Sequence, residues 1–570
     1  MTDEKLIAID LFSGAGGLSR GFLQTGKVKI AAAVENNEWA RKTYEKNHKD
    51  QGVEMFGDIT KIDFDKLRTS LEAKGHNINI VFGGPPCQGF SNANRQKSEL
   101  ISMNNQLVKT YAMAIEKLNP DAFLMENVKT LKSQKHKFYY SKVDDEEHID
   151  KLNIERKEEV ITLGSMVPWG LELVSFINHF NGDISLFLIK EKNFLSKVSH
   201  LLRKEKEFEH LLTNSKDPFI NYLKKWGELH PEFWSNHSAY IQCWNEIYLQ
   251  IESYRTDASS ISLSELRSNL RSIYETQRIL QKVEEIVRKR IHHSDLQIDG
   301  DKIIITLQTY SVLDYLKARF LKLGYKFKVD HLNASDYGAP QNRERLFILG
   351  VKSSIVGDNE IRLPDPLIIM EHLKYTVEDA ISDLEHRPPS TKIDAIADAE
   401  GQIRETNVDS NPLLRYLHGG YNRIHNHVMT DSTNVALQRF EALNEGDNFH
   451  KLDESYKTTY SNPNRTQNTV YLRLKYKSQS GTVLNVRKSM WIHPTLNRAI
   501  SIREAARLQT FPDNFIFVGS KDAQYQQIGN AVPPLLGQAV AEQLLMYLGK
   551  PVENKLKDII CRETNDLVEV

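Results

Sequence analysis

Four side chains have the types and spacing for covalent and acid–base chemistry: Cys87, Glu126, Arg343 and Arg345. Cys87 sits in "GGPPCQGFS" (83–91), directly after the apolar run "INIVF" (78–82). Pro85 and Pro86 fix their own φ angles and lack N–H donors, so the backbone is stiff just before the thiol. Its neighbours are loop residues, which favours a positioned nucleophile over a core cysteine. The other two cysteines, Cys243 and Cys561, are far away, so a disulfide framework or a zinc site is not expected. Glu126 ends the apolar run of "AFLMEN" (122–127) and offers one transferable proton. Arg343 and Arg345 alternate in "QNRERLF" and would share a strand face. They are placed to pair with Glu126, with phosphate or with a substrate carbonyl.

The elements that carry these residues follow from hydrophobic periodicity. "LIAIDLF" (6–12), "KIAAAVE" (29–35), "VEMFGD" (53–58), "INIVFGG" (78–84) and "AFLMEN" read as five strands. Helices start near Gly17, cover "EWARKTYEKN" and span about 105–118. This alternation predicts an α/β fold with a parallel, doubly wound, Rossmann-like sheet. In such sheets ligands bind at the carboxyl ends of the strands, where Cys87 and Glu126 lie. The pattern then breaks, and residues 131–304 read as a mostly helical insertion. It resumes over 305–351 with a helix and two strands, "KFKVDHLNA" and "RLFILGV". Residues 352–498 are polar and irregular. "IREAARLQTF" and a helix after Pro534 close the fold over 499–550, and 551–570 read as a frayed tail.

The first strand's turn, "DLFSGAGGLSRGF", is rich in glycine but is not the dinucleotide fingerprint, because Ser19 stands where its third glycine would be. Glu35 ends the second strand about 20 residues on, where an acid can hold a ribose diol. Asp58 ends the third, placed for an adenine amino group. No Walker lysine follows. A nucleoside without a phosphate chain fits best, such as S-adenosylmethionine.

The ordered blocks "DLFSGAGG", "GGPPCQGFS", "ENV", "QNRERLFILG", "REAARLQTFPD" and "QIGNAVPP" resemble the motif set of the DNA (cytosine-5) methyltransferases. The resemblance covers roughly 1–130, 305–351 and 495–550. It implies S-adenosylmethionine as methyl donor, no metal, and a cytosine flipped out of double-stranded DNA. It implies that Cys87 adds to C6 of the ring while Glu126 supplies a proton at N3 and Arg345 holds O2, with Arg343 in the same network. It also implies cofactor contacts from Phe12, Gly14, Gly16, Gly17, Leu18, Glu35, Asp58, Ile59, Leu107, Asn530 and Val532. Gln88, Ser91 and Gln341 would reach the DNA, and 352–498 would form a target-recognition domain. By analogy the chain is the modification enzyme of a restriction–modification system, a monomer with a cognate endonuclease encoded nearby.

The insertion departs from the family pattern. Its "RKEKEFEH" and "RKRIHH" offer cations to phosphate, though a solvated helical face is the blander reading. "HNH" (425–427) lacks a ligand set and reads as a linker to the recognition domain. A formal net charge of −1, 26% charged and 40% apolar residues describe a globular protein without an overall basic excess. The acidic start "MTDEKLIAIDLF" is not a signal peptide, and no apolar run is long enough to span a membrane. A cytoplasmic location follows as an expectation. Two other readings remain open: a tRNA cytosine-5 methyltransferase and a catalytically silent DNA-binding module.

Overall fold

The computed structural model describes residues 5–86, 106–133, 136–191, 194–203, 208–213, 226, 229, 232–234, 238–256, 262–393, 401–403, 411–460 and 462–561. They divide into two compact units. One comprises the described residues of 1–87, 106–132 and 319–570; the other runs Ser133–Ala318.

The first unit is built on a seven-stranded sheet. Its strands are β1 (Leu6–Leu11), β2 (Val28–Val34), β3 (Glu54–Phe56), β4 (Ile78–Gly83), β5 (Ala122–Val128), β6 (Tyr325–Asn333) and β7 (Glu344–Lys352). The order across the sheet is β6-β7-β5-β4-β1-β2-β3. β1 to β5 pair in parallel, and β7 runs antiparallel to both β5 and β6. β1 and β4 are nearly continuous apolar runs because both sheet faces are covered. The order in which successive strands are laid down reverses between these two parallel strands, so the crevice beyond their carboxyl ends is the expected ligand site.

The helices have readable signals. α1 (Gly17–Gln24) opens after Gly16, whose φ of 95° is left-handed. α2 (Glu38–Asn47) is capped by Asn37, which accepts from the Ala40 N–H. α3 (Phe64–Ala73) is capped by Asp63, and α4 (Gln106–Leu118) precedes β5. Near the C-terminal end lie α5 (Ile502–Leu508), with a Ser501/Glu504 capping box, α6 (Lys521–Asn530) and α7 (Pro534–Tyr547), with Pro at its first position. α7 lies against α1 so closely that a Cβ on Gly21 would come within 2.5 Å of the Gly537 carbonyl carbon and the Gln538 nitrogen.

Residues 352–498 do not separate from this unit. Tyr375, Val377, Leu413, Leu417, Val483 and Trp491 enter the main core. Only Ala436, Phe440, Leu443, Phe449, Leu452, Tyr471 and Ile492 form a small core of their own. "HNH" is not a linker either. His425, Asn426 and His427 are buried, and the Asn426 amide bonds Phe517 and Gln524. The expected frayed tail also docks in part. Leu556 and Ile560 are buried, and the Tyr375 hydroxyl donates to the Ile560 carbonyl at 2.6 Å.

The second unit is mostly helical among its described residues, as expected, and adds a sheet that the periodicity did not reveal. It contains a four-stranded sheet of Lys137–Tyr139, Arg156–Ser165, Gln297–Asp299 and Lys302–Ser311. The pairing of Arg156–Ser165 with Lys302–Ser311 holds the latter in this unit, so the boundary falls at 318 rather than 304. The helical periodicity itself holds: in the helix Leu263–Arg288, Leu266, Leu270 and Ile273 are buried. The cations of "RKRIHH" are already engaged: Arg288 with Glu284, Lys289 with Glu285, Arg290 with Glu146 and His292 with Asp145. Among the described residues no helix is long and apolar enough to cross a membrane.

Candidate active site

A cavity of about 340 Å³ opens beyond the carboxyl ends of β1, β2 and β4, as the strand order requires. Its wall includes Phe12, Gly14, Gly17, Leu18, Glu35, Asn530 and Val532 from the expected cofactor set, together with Glu126. Phe12 has a φ of 62°. A left-handed aromatic residue costs on the order of 1–3 kcal/mol, strain of a kind that clusters at functional sites. Glu35 holds the turn: its two carboxylate oxygens accept the Gly14 N–H at 2.8 Å and the Asn37 N–H at 2.6 Å. Each oxygen keeps a lone pair for a ligand, and burial lifts this carboxyl above its ordinary pKa.

Other expected residues lie elsewhere. Gly16 is not in the wall; a Cβ there would meet the His48 and Tyr44 rings, so its role is packing. Asp58 follows β3 but spends one oxygen on Thr60, and Ile59 is buried behind it; neither lines the cavity, nor does the half-buried Leu107.

The wall also holds residues that sequence reasoning missed. Asp10 is buried beside the turn, accepts from the Ser19 hydroxyl, and its Oδ1 has no partner among the described residues. Desolvation pushes its pKa well above the ordinary range. Trp39, Ala523, Gln526 and Gln527 complete one side. The last three and Asn530 recur at helical spacing along α6, a pattern readable in advance. Trp39 is set by contact with Gly519, which only tertiary structure reveals.

Glu126 is a further carboxyl group in the wall, with Asp10 and Glu35. Its side chain is 15% exposed and bonds Arg345 Nε at 2.9 Å. The sheet explains the pairing: Phe347 lies opposite Glu126 in the β5–β7 ladder, and Arg345 is two residues along on the same face. Burial raises the Glu126 pKa, opposed by the charges of Arg345 and Arg343. Gly84 lies directly beneath: a Cβ there would stand 2.6 Å from Glu126 Oε2. The neighbouring Asn127 donates to the Pro85 carbonyl at 2.9 Å, tying the proline turn to β5. Cys87, Gln88 and Ser91, which follow this turn in sequence, lie outside the described residues.

Two expectations are corrected here. Arg343 is 1% exposed and donates to the Val483 and Gly529 carbonyls, both at 3.0 Å. It is therefore a positioning residue that ties the segment after 480 to the end of α6, and its charge reaches Glu126 without a direct bond. Gln341 is fully buried, donates to Leu508 and Gln509 and accepts from Val483 N–H. No surface is left for DNA.

Comparison with known proteins agrees with this arrangement. The family model "C-5 cytosine-specific DNA methylase" matches residues 6–149 and 302–546. The Type II methyltransferase M.DdeI of Desulfomicrobium norvegicum is 34% identical over 261 residues, covering 43% of this chain and 61% of that protein. M1.HphI of Haemophilus parahaemolyticus is 32% identical, over 40% of this chain and 50% of its own length. The chain thus spans between a half and two thirds of these two relatives. M.AgeI of Thalassovita gelatinovora, also a Type II methyltransferase, is 26% identical over 94% of this chain and 98% of its own. With more than half of its length matched by one family model, and the acid, the strained turn and the glycine floor meeting in one cavity, the chain belongs to the C-5 cytosine-specific DNA methylases.

Proposed function

We propose that this protein methylates C5 of a cytosine in double-stranded DNA, with S-adenosylmethionine as donor and Cys87 as nucleophile. One observation carries the reading: Glu126, largely buried and paired with Arg345, shares a cavity wall with the strained Phe12 turn and with Gly84, which stands three residues before Cys87 in the sequence. The cavity suits an adenosine-type group. It offers two aromatic rings, Phe12 and Trp39, the Glu35 carboxylate, and the unpartnered Asp10 oxygen. Phe12, Gly14, Gly17, Leu18, Glu35, Asn530 and Val532 would hold the cofactor, which supplies an electrophilic sulfonium methyl.

The chain's own residues do the rest. Pro85 and Pro86 hold the approach to Cys87, and Asn127 fixes Pro85. The thiolate adds to C6 of cytosine, and electron density moves to C5. Glu126 in its neutral form gives a proton to N3, and its raised pKa keeps that form populated at higher pH than a free glutamate would. Arg345 orients the carboxyl. After transfer, the C5 proton passes to solvent water, the C6–S bond breaks to release the Cys87 thiolate, and the N3 proton returns to Glu126.

The names of the relatives support a role as the modification enzyme beside a cognate restriction endonuclease. A soluble monomer in the cytosol fits that role. Labelled methyl transfer to duplex DNA and to tRNA tests the substrate. Cys87→Ser should abolish transfer to DNA while cofactor binding persists. Duplex carrying 5-fluorocytosine at the target should trap a covalent complex that survives denaturation. Near-normal transfer by Cys87→Ser would refute the nucleophile, and transfer to tRNA alone would refute the substrate.

A further inference from the structure

Residues 433–492 contain a satellite core whose outer edge is one polar loop. Arg439 is 4% exposed, yet among the described residues it bonds no carboxylate. It donates instead to the Tyr456 carbonyl at 2.9 Å, the Thr459 hydroxyl at 2.6 Å and the Tyr471 hydroxyl at 2.9 Å. His450 bonds the Thr466 carbonyl at 2.8 Å, and Phe449 N–H bonds the Val470 carbonyl at 3.0 Å. The tip "NPNRTQN" (462–468) is closed by its own backbone bonds, Arg465 N–H to Asn462 and Thr466 N–H to Pro463. Both flanks are therefore fastened, and the tip is pre-formed.

What the tip presents is unspent. Asn462, Asn464, Arg465, Gln467 and Asn468 are exposed. Among the described residues, no hydrogen-bond or ion-pair partner engages their side chains. The contrast within the segment is sharp. The sequence has five arginines between 439 and 498. Arg439 and Arg473 are buried on backbone and hydroxyl groups, Arg487 pairs with Asp522, and Arg498 pairs with Glu504. Lys477 is likewise paired, with Glu378. Arg465 is the arginine of this segment left uncommitted among the described residues; Lys451 and Lys475 are also unpaired there but lie outside the tip. A surface built only for phosphate would carry cations; this tip surrounds one cation with neutral amides, the groups that read base edges.

We infer that Arg465 reads a guanine of the target site, donating to O6 and N7 in the major groove, with the neighbouring amides reading adjacent bases. The inference rests on the DNA methylation proposed above and narrows its specificity to one loop. The wild-type protein would first be applied to a randomised duplex library, with methylated cytosines mapped to give its site. The expected site contains a guanine at which Arg465→Ala loses about 5- to 150-fold of its discrimination, as for one bidentate pair, while cofactor binding and the other positions are unchanged. Replacing that guanine by 7-deazaguanine should slow the wild type and leave Arg465→Ala unaffected, because the two changes remove one contact. Gln467→Ala, tested alongside, should relax a neighbouring position. An unchanged site preference in folded Arg465→Ala overturns the inference, and a uniform loss over all sequences overturns it too, by making Arg465 a phosphate contact. Absence of methylation by the wild type would instead count against the proposed function.

Discussion

Replacing Gly84 by alanine should disable the site through Glu126 alone. The φ of Gly84 is not in the left-handed region, so the backbone accepts a side chain there. The new Cβ would stand 2.6 Å from Glu126 Oε2. A carbon–oxygen contact relaxes to about 3.3 Å, so the carboxyl must retreat by about 0.7 Å, against the 2.9 Å bond that Arg345 makes on its other oxygen. Misplacing a reacting group by ~1 Å costs on the order of 10²-fold in rate. The expected loss in single-turnover methyl transfer is therefore roughly 30- to 100-fold, or about 2–3 kcal/mol of barrier. Cofactor affinity by calorimetry should stay within a few-fold. The decisive measurement is the double variant with Glu126→Ala, which removes both the acid and the obstacle. Gly84→Ala should then add almost nothing to the loss caused by Glu126→Ala, because both act on one group. If the two losses multiply, the methyl acts on the proline turn or the cofactor, and the argument from the Glu126 oxygen fails.

Two further outcomes follow from the same structure. Removing the Arg345 charge with Arg345→Met should push the Glu126 pKa higher still, since that charge now opposes the burial effect. The neutral acid then persists further up in pH, so the alkaline fall of the single-turnover rate should move to higher pH; a fall at unchanged pH would assign that limb to another group. Ending the chain at Lys550 deletes Leu556 and Ile560, both fully buried. At about 1.5–3 kcal/mol per aliphatic side chain, up to about 3–6 kcal/mol of stability should go, seen as a lowered urea midpoint; an unchanged midpoint would show that the docked helix contributes nothing.

The sheet was legible because local signals agreed with the global fold. Apolar runs ending in glycine marked β1 and β4, and "EWARKTYEKN" after its Asn37 cap coincides with α2. What failed depended on partners distant in sequence. Arg156–Ser165 carries charges on an exposed face and becomes a strand only by pairing with Lys302–Ser311. Gln341 looked like a surface amide, but its three partners lie 142 to 168 residues on. Arg343 looked like a second catalytic cation for the same reason: Val483 and Gly529, whose carbonyls hold its two terminal nitrogens, cannot be placed without the fold. Within the cavity the expected acids and glycines were visible from their strand ends, whereas Trp39 was not, because its place depends on Gly519.

The packing of α1 against α7 has a consequence for synthesis. The cavity wall joins residues near the start of the chain to residues near its far end, and Asn47 and Thr43 bond backbone groups 469 and 475 residues later. At about 5–20 residues per second, a ribosome takes roughly 25–95 s to deliver the second partner after the first. Throughout that interval the nascent chain has a floor for the cofactor but no far wall, and α1 exposes the glycine face meant for α7. Chains that stop early therefore lack that side of the cavity. The bare α1 face is also where a chaperone would be needed, and where two unfinished chains would first stick to each other.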